Sequence, residues 1–373
     1  MRVGIVGYEL QDESTGVGRA LAGLLWGAVR EAPSGWRFVV FVQRPVDHPA
    51  LRHQAIETVV PAGPSRFVRR VLWEQLELPG LLRGQRLDLV YSPSYSLPPH
   101  TGLPGVVTVH DLAFERLPEE FGWRERWRRR LLARRACRVA ERVLVDADAV
   151  RAELEERYRV PTERIGVVPL AVEEAFRPAA DEAERREDRA LLADLGVVPP
   201  FLLHAGALLE RRRPAMLLEA LQAAREVDHR FRLVLAGPDR LRRPGHLERA
   251  VRERRVDDQV LRLGWISDRV LRALYRGAAA TLYLSRYEGF GLPPLESLAC
   301  GTPVVVDAAP GLADLWPEYP LRVDGSSATA VRAAVGGVLG VPWSADEGIE
   351  RVRRSSWGAA AVAWLRELEQ ARS

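Results

Sequence analysis

The chain contains no lysine; all 54 of its basic side chains are arginine. That absence removes whole mechanisms. A pyridoxal-phosphate enzyme needs a Schiff-base lysine and a Walker P-loop needs a lysine on its phosphates, so neither class is open to this protein. Cysteine is nearly missing as well, with only Cys137 and Cys300 in 373 residues. Two thiols in helical, apolar surroundings give no disulfide framework and no zinc spacing, and they suit a reducing compartment. No apolar run approaches the length of a membrane span. The start, Met1 to Gly7, is too short for a signal-peptide core and reads as a first strand. The expected location is therefore the cytoplasm, with attachment to a membrane surface left open. Charge of one sign is not in excess either. Fifty acidic residues offset the arginines to a net +4, so nucleic acid is not an expected partner.

What is present is material for two ordinary globular domains. Hydrophobic residues make up 47% of the chain and charged ones 28%. Apolar runs at Val3–Tyr8, Arg37–Val42, Ile56–Val60, Leu87–Tyr91 and Gly105–His110 alternate with helical or loop stretches, which argues for a doubly wound parallel sheet. A second set follows at Phe201–Gly206, Phe231–Ala236, Val260–Leu263, Ala279–Leu284 and Val304–Asp307. Between them, residues 178–189 are charged, alanine-rich and without apolar periodicity, and are the best linker candidate. The expected division is residues 1–176 and 190–354, with the last helix, Ser355 to Gln370, carrying Trp357, Val362, Leu365 and Leu368 on its apolar side.

Several stretches carry chemistry. Gly16-Val17-Gly18-Arg19 opens a helix with Leu21, Leu24, Leu25 and Ala28 on its apolar face, and a glycine pair there exposes N–H groups to an anion. His110-Asp111 stands at the carboxyl end of a strand. Trp123 to Val143 is a helix crowded with arginines, with Trp123, Trp127, Leu131, Cys137 and Ala140 as its expected inward stripe; contact with anionic lipid headgroups is the alternative for this segment. Asp146 and Asp148 follow the strand at Val143 and are read as helix caps, with a divalent-cation site as the rival. After Gly206, the arginines 211–213 enter a helix start, where the dipole prefers anions, an oddity that a bound diphosphate would remove.

The densest stretch runs from Tyr287 to Pro303, Y-E-G-F-G-L-P-P-L-E-S-L-A-C-G-T-P. A buried strand leads into Glu288-Gly289-Phe290-Gly291, where glycines allow backbone to approach a ligand. From Leu292 a helix begins, with Pro293 tolerated in its first turn. Gly301-Thr302-Pro303 stops it. Glu288 and Glu296, with seven residues between them, fall in the loop and about a turn into the helix. Glu296 suits a diol such as a ribose, and Glu288 a group beyond a phosphate held at the helix start.

Tyr287 through Pro303 resembles the donor-site signature of the retaining glycosyltransferases of family 4. That resemblance implies a GT-B fold, an α/β architecture of two Rossmann-like doubly wound domains facing a central cleft, with the last helix packing back on the first. It implies a hexose, of mannose or glucose type, moved from a GDP- or UDP-sugar to a hydroxyl of a glycan, lipid-linked or small-molecule acceptor, without a metal or other cofactor. On the same resemblance Arg211 matches the family's phosphate-side arginine and Arg212 stands where its lysine binds phosphate. His110 would face the donor sugar with Glu288. Gly16, Gly18, Gly206, Gly289, Phe290, Gly291, Leu292 and Glu296 would contact the donor, and Trp265 and Ile266 would flank the base. The chain departs from the family in the 146–150 segment, where a serine-rich stretch is usual, and in the loop Gly311 to Asp314. A nucleotide-sugar epimerase or hydrolase of the same fold, or a non-catalytic nucleotide-sugar-binding protein, are the alternatives.

Overall fold

Short apolar runs rich in Val, Leu and Ile set up the strands, as expected where a parallel sheet is buried on both faces. The computed structural model describes residues 1–11, 16–61, 70–243, 245–312, 319–353 and 355–372. The chain divides into two units, Met1–Ala171 with Ser355–Ser373, and Val172–Arg354.

In the first unit the strands are β1 (Arg2–Val6), β2 (Arg37–Phe41), β3 (Ile56–Val59), β4 (Leu89–Ser92), β5 (Gly105–Thr108), β6 (Arg142–Val145) and β7 (Ile165–Val167). They form one parallel sheet in the order β3-β2-β1-β4-β5-β6-β7. In the second unit β8 (Phe201–Ala205), β9 (Arg232–Ala236), β10 (Val260–Gly264), β11 (Ala280–Tyr283), β12 (Val304–Asp307) and β13 (Arg322–Val323) are likewise parallel, in the order β10-β9-β8-β11-β12-β13. Each sheet reverses its winding once, between β1 and β4 and between β8 and β11. Open α/β sheets bind ligands beyond the carboxyl ends of strands at such a reversal. The strands β7 and β13 are too short to stand out as apolar runs in the sequence.

Helix Gly16–Glu31 buries Leu21, Leu24, Leu25 and Ala28, the expected face. It packs on helix Trp357–Arg372. Close approach there depends on glycine, because a Cβ on Gly23 would lie 2.2 Å from the Trp357 ring and one on Gly27 2.3 Å from the Trp357 carbonyl. Trp357, Leu365 and Leu368 are buried as expected, but Val362 is exposed. The anchor of this helix is Trp364, fully buried with its ring centroid 5.0 Å from Tyr91 and 5.9 Å from Phe38.

Two expectations fail. Residues 178–189 are no linker, since Glu182–Asp194 is a helix capped by Asp181. Its Glu184 and Asp188 both pair with Arg276, at 2.8 and 3.0 Å. The segment is held by ion pairs, so it shows little apolar periodicity. In helix Trp123–Val139 the expected inward stripe holds only at its far end, at Cys137 and Ala140. Ala133, Ala136 and Cys137 face the core, with Ala140 beyond the helix end, whereas Trp123, Trp127 and Leu131 are 75, 65 and 53% exposed. The small residues define the inner face because they let the helix lie close to the sheet. The large apolar ones, four residues apart, trace a separate outward stripe.

Candidate active site

At the β8/β11 reversal of the second unit the two strand ends converge on one cluster. The chain leaves β8 through Gly206, whose φ of +109° favours glycine. A Cβ there would stand 2.5 Å from Nη1 of Arg212, so the glycine also makes room for the guanidinium. A single 3-10 turn, Glu210–Arg212, then turns the arginines back over the strand ends. Helix Pro214–Val227 follows, with proline at its first position.

Arg212 is buried and spreads its three nitrogens over three partners. Nε donates to Glu288 at 3.0 Å, Nη1 to the Ala207 carbonyl at 3.0 Å and Nη2 to the Tyr283 hydroxyl at 2.8 Å. Arg211 lies 3.6 Å from the other oxygen of Glu288, and Ser285 donates to that carboxylate at 2.9 Å. Burial would raise the Glu288 carboxyl, but the charges of Arg212 and Arg211, with the hydrogen bonds from Arg212 and Ser285, hold it down at about 2. Glu288 is thus ionised at neutral pH. The nearby His204 is pushed down to about 4 by burial and by the Arg212 charge, and stays neutral. Arg213 pairs with Asp307 at the end of β12. Carboxylates of the protein itself therefore offset the basic cluster at this helix start, which the sequence reading left to a ligand alone. Two guanidiniums against one carboxylate still leave a net positive charge at the strand ends.

The loop after β11 delivers Glu288, Gly289 and Phe290, all buried, to the N-terminus of helix Leu292–Ala299, where Gly291 caps with φ +103° and Leu292 is the first helical residue. Glu296, one turn in, is 1% exposed and accepts a hydrogen bond from Tyr275 at 3.0 Å. Trp265 and Ile266 stand at the end of edge strand β10, two strands from β8, with Trp265 55% exposed. Gly311 closes against this loop, as its Cβ would meet the Glu288 carbonyl at 2.2 Å; Ala313 and Asp314 lie outside the described residues.

In the first unit His110 follows β5. Its Nδ1 is 2.7 Å from Asp146 and its Nε2 is 2.9 Å from the Pro93 carbonyl. The Pro93 carbonyl only accepts, as does Asp146 in its ionised form, which burial disfavours and His110 favours; a doubly protonated ring then satisfies both. Burial opposes the charge, yet Asp146 overrides it and the His110 pKa is raised. Asp146 is therefore a buried partner of His110 and not a helix cap. Asp148 does not cap either; the position before the helix is Ala147, and Asp148 pairs with Arg151 at 2.7 Å. Asp111 accepts from the Ala113 amide and orients its loop. Gly16 and Gly18 begin the first helix as expected, while Asp12 to Thr15 lie outside the described residues.

The β1/β4 reversal holds a cluster the sequence did not reveal. Arg70 binds Glu9 and Ser94, and Ser96 donates to Glu74. Glu9, Glu74, Ser94 and Ser96 are all buried. The available signal was position alone, acidic and hydroxyl residues within a few places of an apolar strand. Among the described residues no group of three or more His, Cys, Asp or Glu is set to hold a metal ion.

The family described as "Glycosyl transferases group 1" matches residues 194–334, and "Glycosyltransferase Family 4" matches residues 15–176. The chain belongs to the family 4 type of glycosyltransferase. A D-inositol 3-phosphate glycosyltransferase of Catenulispora acidiphila is 33% identical over 60% of this chain and 55% of that protein. An O-antigen chain mannosyltransferase B of Escherichia coli is 29% identical over 68% of this chain and 66% of its own. The chain thus spans a little over half to two thirds of the length of these relatives. Among solved structures, a sucrose-phosphate synthase from Thermosynechococcus elongatus has a TM-score of 0.75 at 22% identity, covering 99% of this chain and 98% of that one. Anabaena HepE, solved in complex with UDP and glucose, has a TM-score of 0.73 at 16% identity, covering 99% of each. These likenesses establish the fold, GT-B, with a Rossmann-like sheet in each unit.

Proposed function

We propose that this chain transfers a hexose, of the mannose or glucose type, from a nucleotide-diphosphate sugar to a hydroxyl acceptor, with retention at the anomeric carbon. The observation that carries this reading is the cluster of Arg211, Arg212 and Glu288, net positive at a strand reversal and next to a helix N-terminus. Such a place suits a diphosphate. As the bond from sugar to phosphate breaks, negative charge grows on the departing diphosphate. Fixed guanidiniums stabilise that charge more in the transition state than in the bound donor. Glu288, ionised and locked to both arginines, is not a general acid; it holds them in place and fixes the loop on which the sugar would lie. Glu296, held by Tyr275, is assigned to the ribose hydroxyls. His110 is assigned to the sugar side on the family resemblance, and with both ring nitrogens engaged it would contribute charge and position rather than take a proton. The complex of HepE with UDP and glucose, and the mannosyltransferase relative, support a UDP- or GDP-sugar donor and a glycan or lipid-linked acceptor. The outward Trp123, Trp127 and Leu131, with Arg124 and Arg128 beside them, support peripheral contact with anionic headgroups. No helix among the described residues is long and apolar enough to cross a membrane.

Calorimetry with UDP and GDP, followed by turnover with UDP-glucose and GDP-mannose, tests the reading. One nucleotide should bind, and Glu296→Ala should weaken it by roughly 1.5–3 kcal/mol, the range for a charged hydrogen bond. Binding without transfer to any acceptor or to water would decide for a non-catalytic binding protein. No binding at all would sink the donor site.

A further inference from the structure

Away from the carboxyl ends of the strands, the first unit has an open pocket of about 360 Å³ lined by five arginines together with Cys137, Tyr158 and Val160. Arg134 and Arg138 come from helix Trp123–Val139, Arg157 and Arg159 from the end of helix Asp148–Tyr158, and Arg164 from just before β7. No carboxylate lines it. Arg134, Arg138 and Arg159 reach solvent, which screens them, whereas Arg157 and Arg164 are half-buried and feel the shared positive charge most. Close by, other arginines are paired, Arg116 with Glu153 and Arg130 with Glu115. The five in the wall have no carboxylate partner among the described residues. Arg134 lies over the Tyr158 ring, 5.3 Å from its centroid. Arg164 donates to the carbonyls of Cys137, Arg138 and Ala140. The Nε of Arg157 is buried with no hydrogen-bond partner. Glu115, to which the Tyr158 hydroxyl donates at 3.0 Å, is already occupied by Arg130.

A simpler account is that both helices end here, and cations are favoured at helix C-termini. The magnitudes decide against it. Two helix ends carry roughly one negative charge between them, against five positive ones in the wall.

We propose that this cavity binds a dianionic phosphate group, carried either by a small phosphate monoester or by a lipid headgroup, at a site separate from the donor cluster. Guanidinium forks match phosphate oxygens in geometry and charge. The volume is at the small end for ligand pockets, enough for a phosphate and the few atoms that carry it. The helix itself suggests how a lipid could present that phosphate. Trp123, Trp127, Leu131, Arg134 and Arg138 follow one another at steps of four, four, three and four, and so share one face. A headgroup in the cavity would leave the two rings at the level where aromatic side chains favour a membrane interface.

The full chain would be titrated with glycerol 3-phosphate by calorimetry, and sedimented with phosphatidylcholine vesicles with and without phosphatidic acid. The test variant is Arg138→Gln/Arg157→Gln. The control is Arg185→Gln/Arg353→Gln, an equal charge change at positions that do not line the pocket. Saturable binding of the soluble ester identifies a metabolite site, and sedimentation only with phosphatidic acid identifies a headgroup site; either supports the proposal. In both cases the test variant should bind about tenfold or more weakly, as expected for loss of charged hydrogen bonds, and the control should not. With less repulsion and no anion present, the test variant should melt no lower than the parent, and Arg157→Gln alone repeats the measurement if it does. No binding of either probe, or equal losses in the test and control variants, would overturn the proposal. Donor turnover plays no part in these readouts, so the outcome is independent of the transferase reading.

Discussion

On the family resemblance Arg212 takes the place of a lysine, and its contacts make a sharp prediction about Arg212→Lys. Its guanidinium donates along three separate directions, to Glu288, the Ala207 carbonyl and the Tyr283 hydroxyl, at 2.8–3.0 Å. A lysine ammonium is one point of charge and cannot reach all three. Arg212→Lys should keep the pairing with Glu288 and lose the other two bonds. At the low end for charged hydrogen bonds, that costs about 3 kcal/mol. Arg212→Ala also strips a buried carboxylate of its nearest cation, a change that typically costs roughly 3–5 kcal/mol. Arg211, 3.6 Å away, should keep the loss toward the lower figure. Hydrogen exchange at the β11 amides, with urea unfolding of the whole chain, reads these losses locally and globally. Combined with Glu288→Gln, Arg212→Ala should show a coupling of about 2 kcal/mol or more. If Arg212→Ala stays within about 0.5 kcal/mol of the parent, as an ordinary surface change would, and adds independently with Glu288→Gln, the cluster is not the anchor described here.

Two further predictions concern pH. The Glu288 carboxyl lies at about 2, down from the usual 4.5, so its ion pairs contribute about 3 kcal/mol that is full above about pH 4.5 and is lost as pH falls toward 2. Glu288→Gln should flatten stability across that acid window, and an unchanged slope would contradict it. The His110 pKa is raised from 6.5, Asp146 outweighing burial, so the stability His110 contributes is full below about pH 6.5 and fades as pH rises through the raised value. NMR titration of His110 should show its pKa fall in Asp146→Asn; no change would remove Asp146 as the cause.

Much of the fold was readable because buried parallel strands are apolar runs, and the helix after Gly291 is announced by its glycines and prolines. Glu288 and Glu296 stand out as candidates in the sequence because they sit in one local motif. What escaped notice depends on residues far apart in the chain. Glu288 meets Arg212 across 76 positions, and Asp146 meets His110 across 36, so neither pairing leaves a local pattern. Position alone makes an acidic residue before a helix, such as Asp146, look like a cap. The outward stripe on Trp123–Val139 is hidden for a different reason. Tryptophan and leucine carry most of the apolar weight of that helix, and the alanines that face inward carry too little to outweigh them.

Helix Trp357–Arg372 belongs to the first unit although the whole of the second precedes it in the chain. On the ribosome, therefore, the unit begun first is the one completed last. Phe38 and Tyr91 must wait for Trp364 while 172–354, one continuous stretch, emerges and can close on its own contacts. During that interval the nascent first unit exposes a trough lined by Gly23, Gly27 and two aromatic rings, an opening for chaperones or for exchange of the late helix between neighbouring chains.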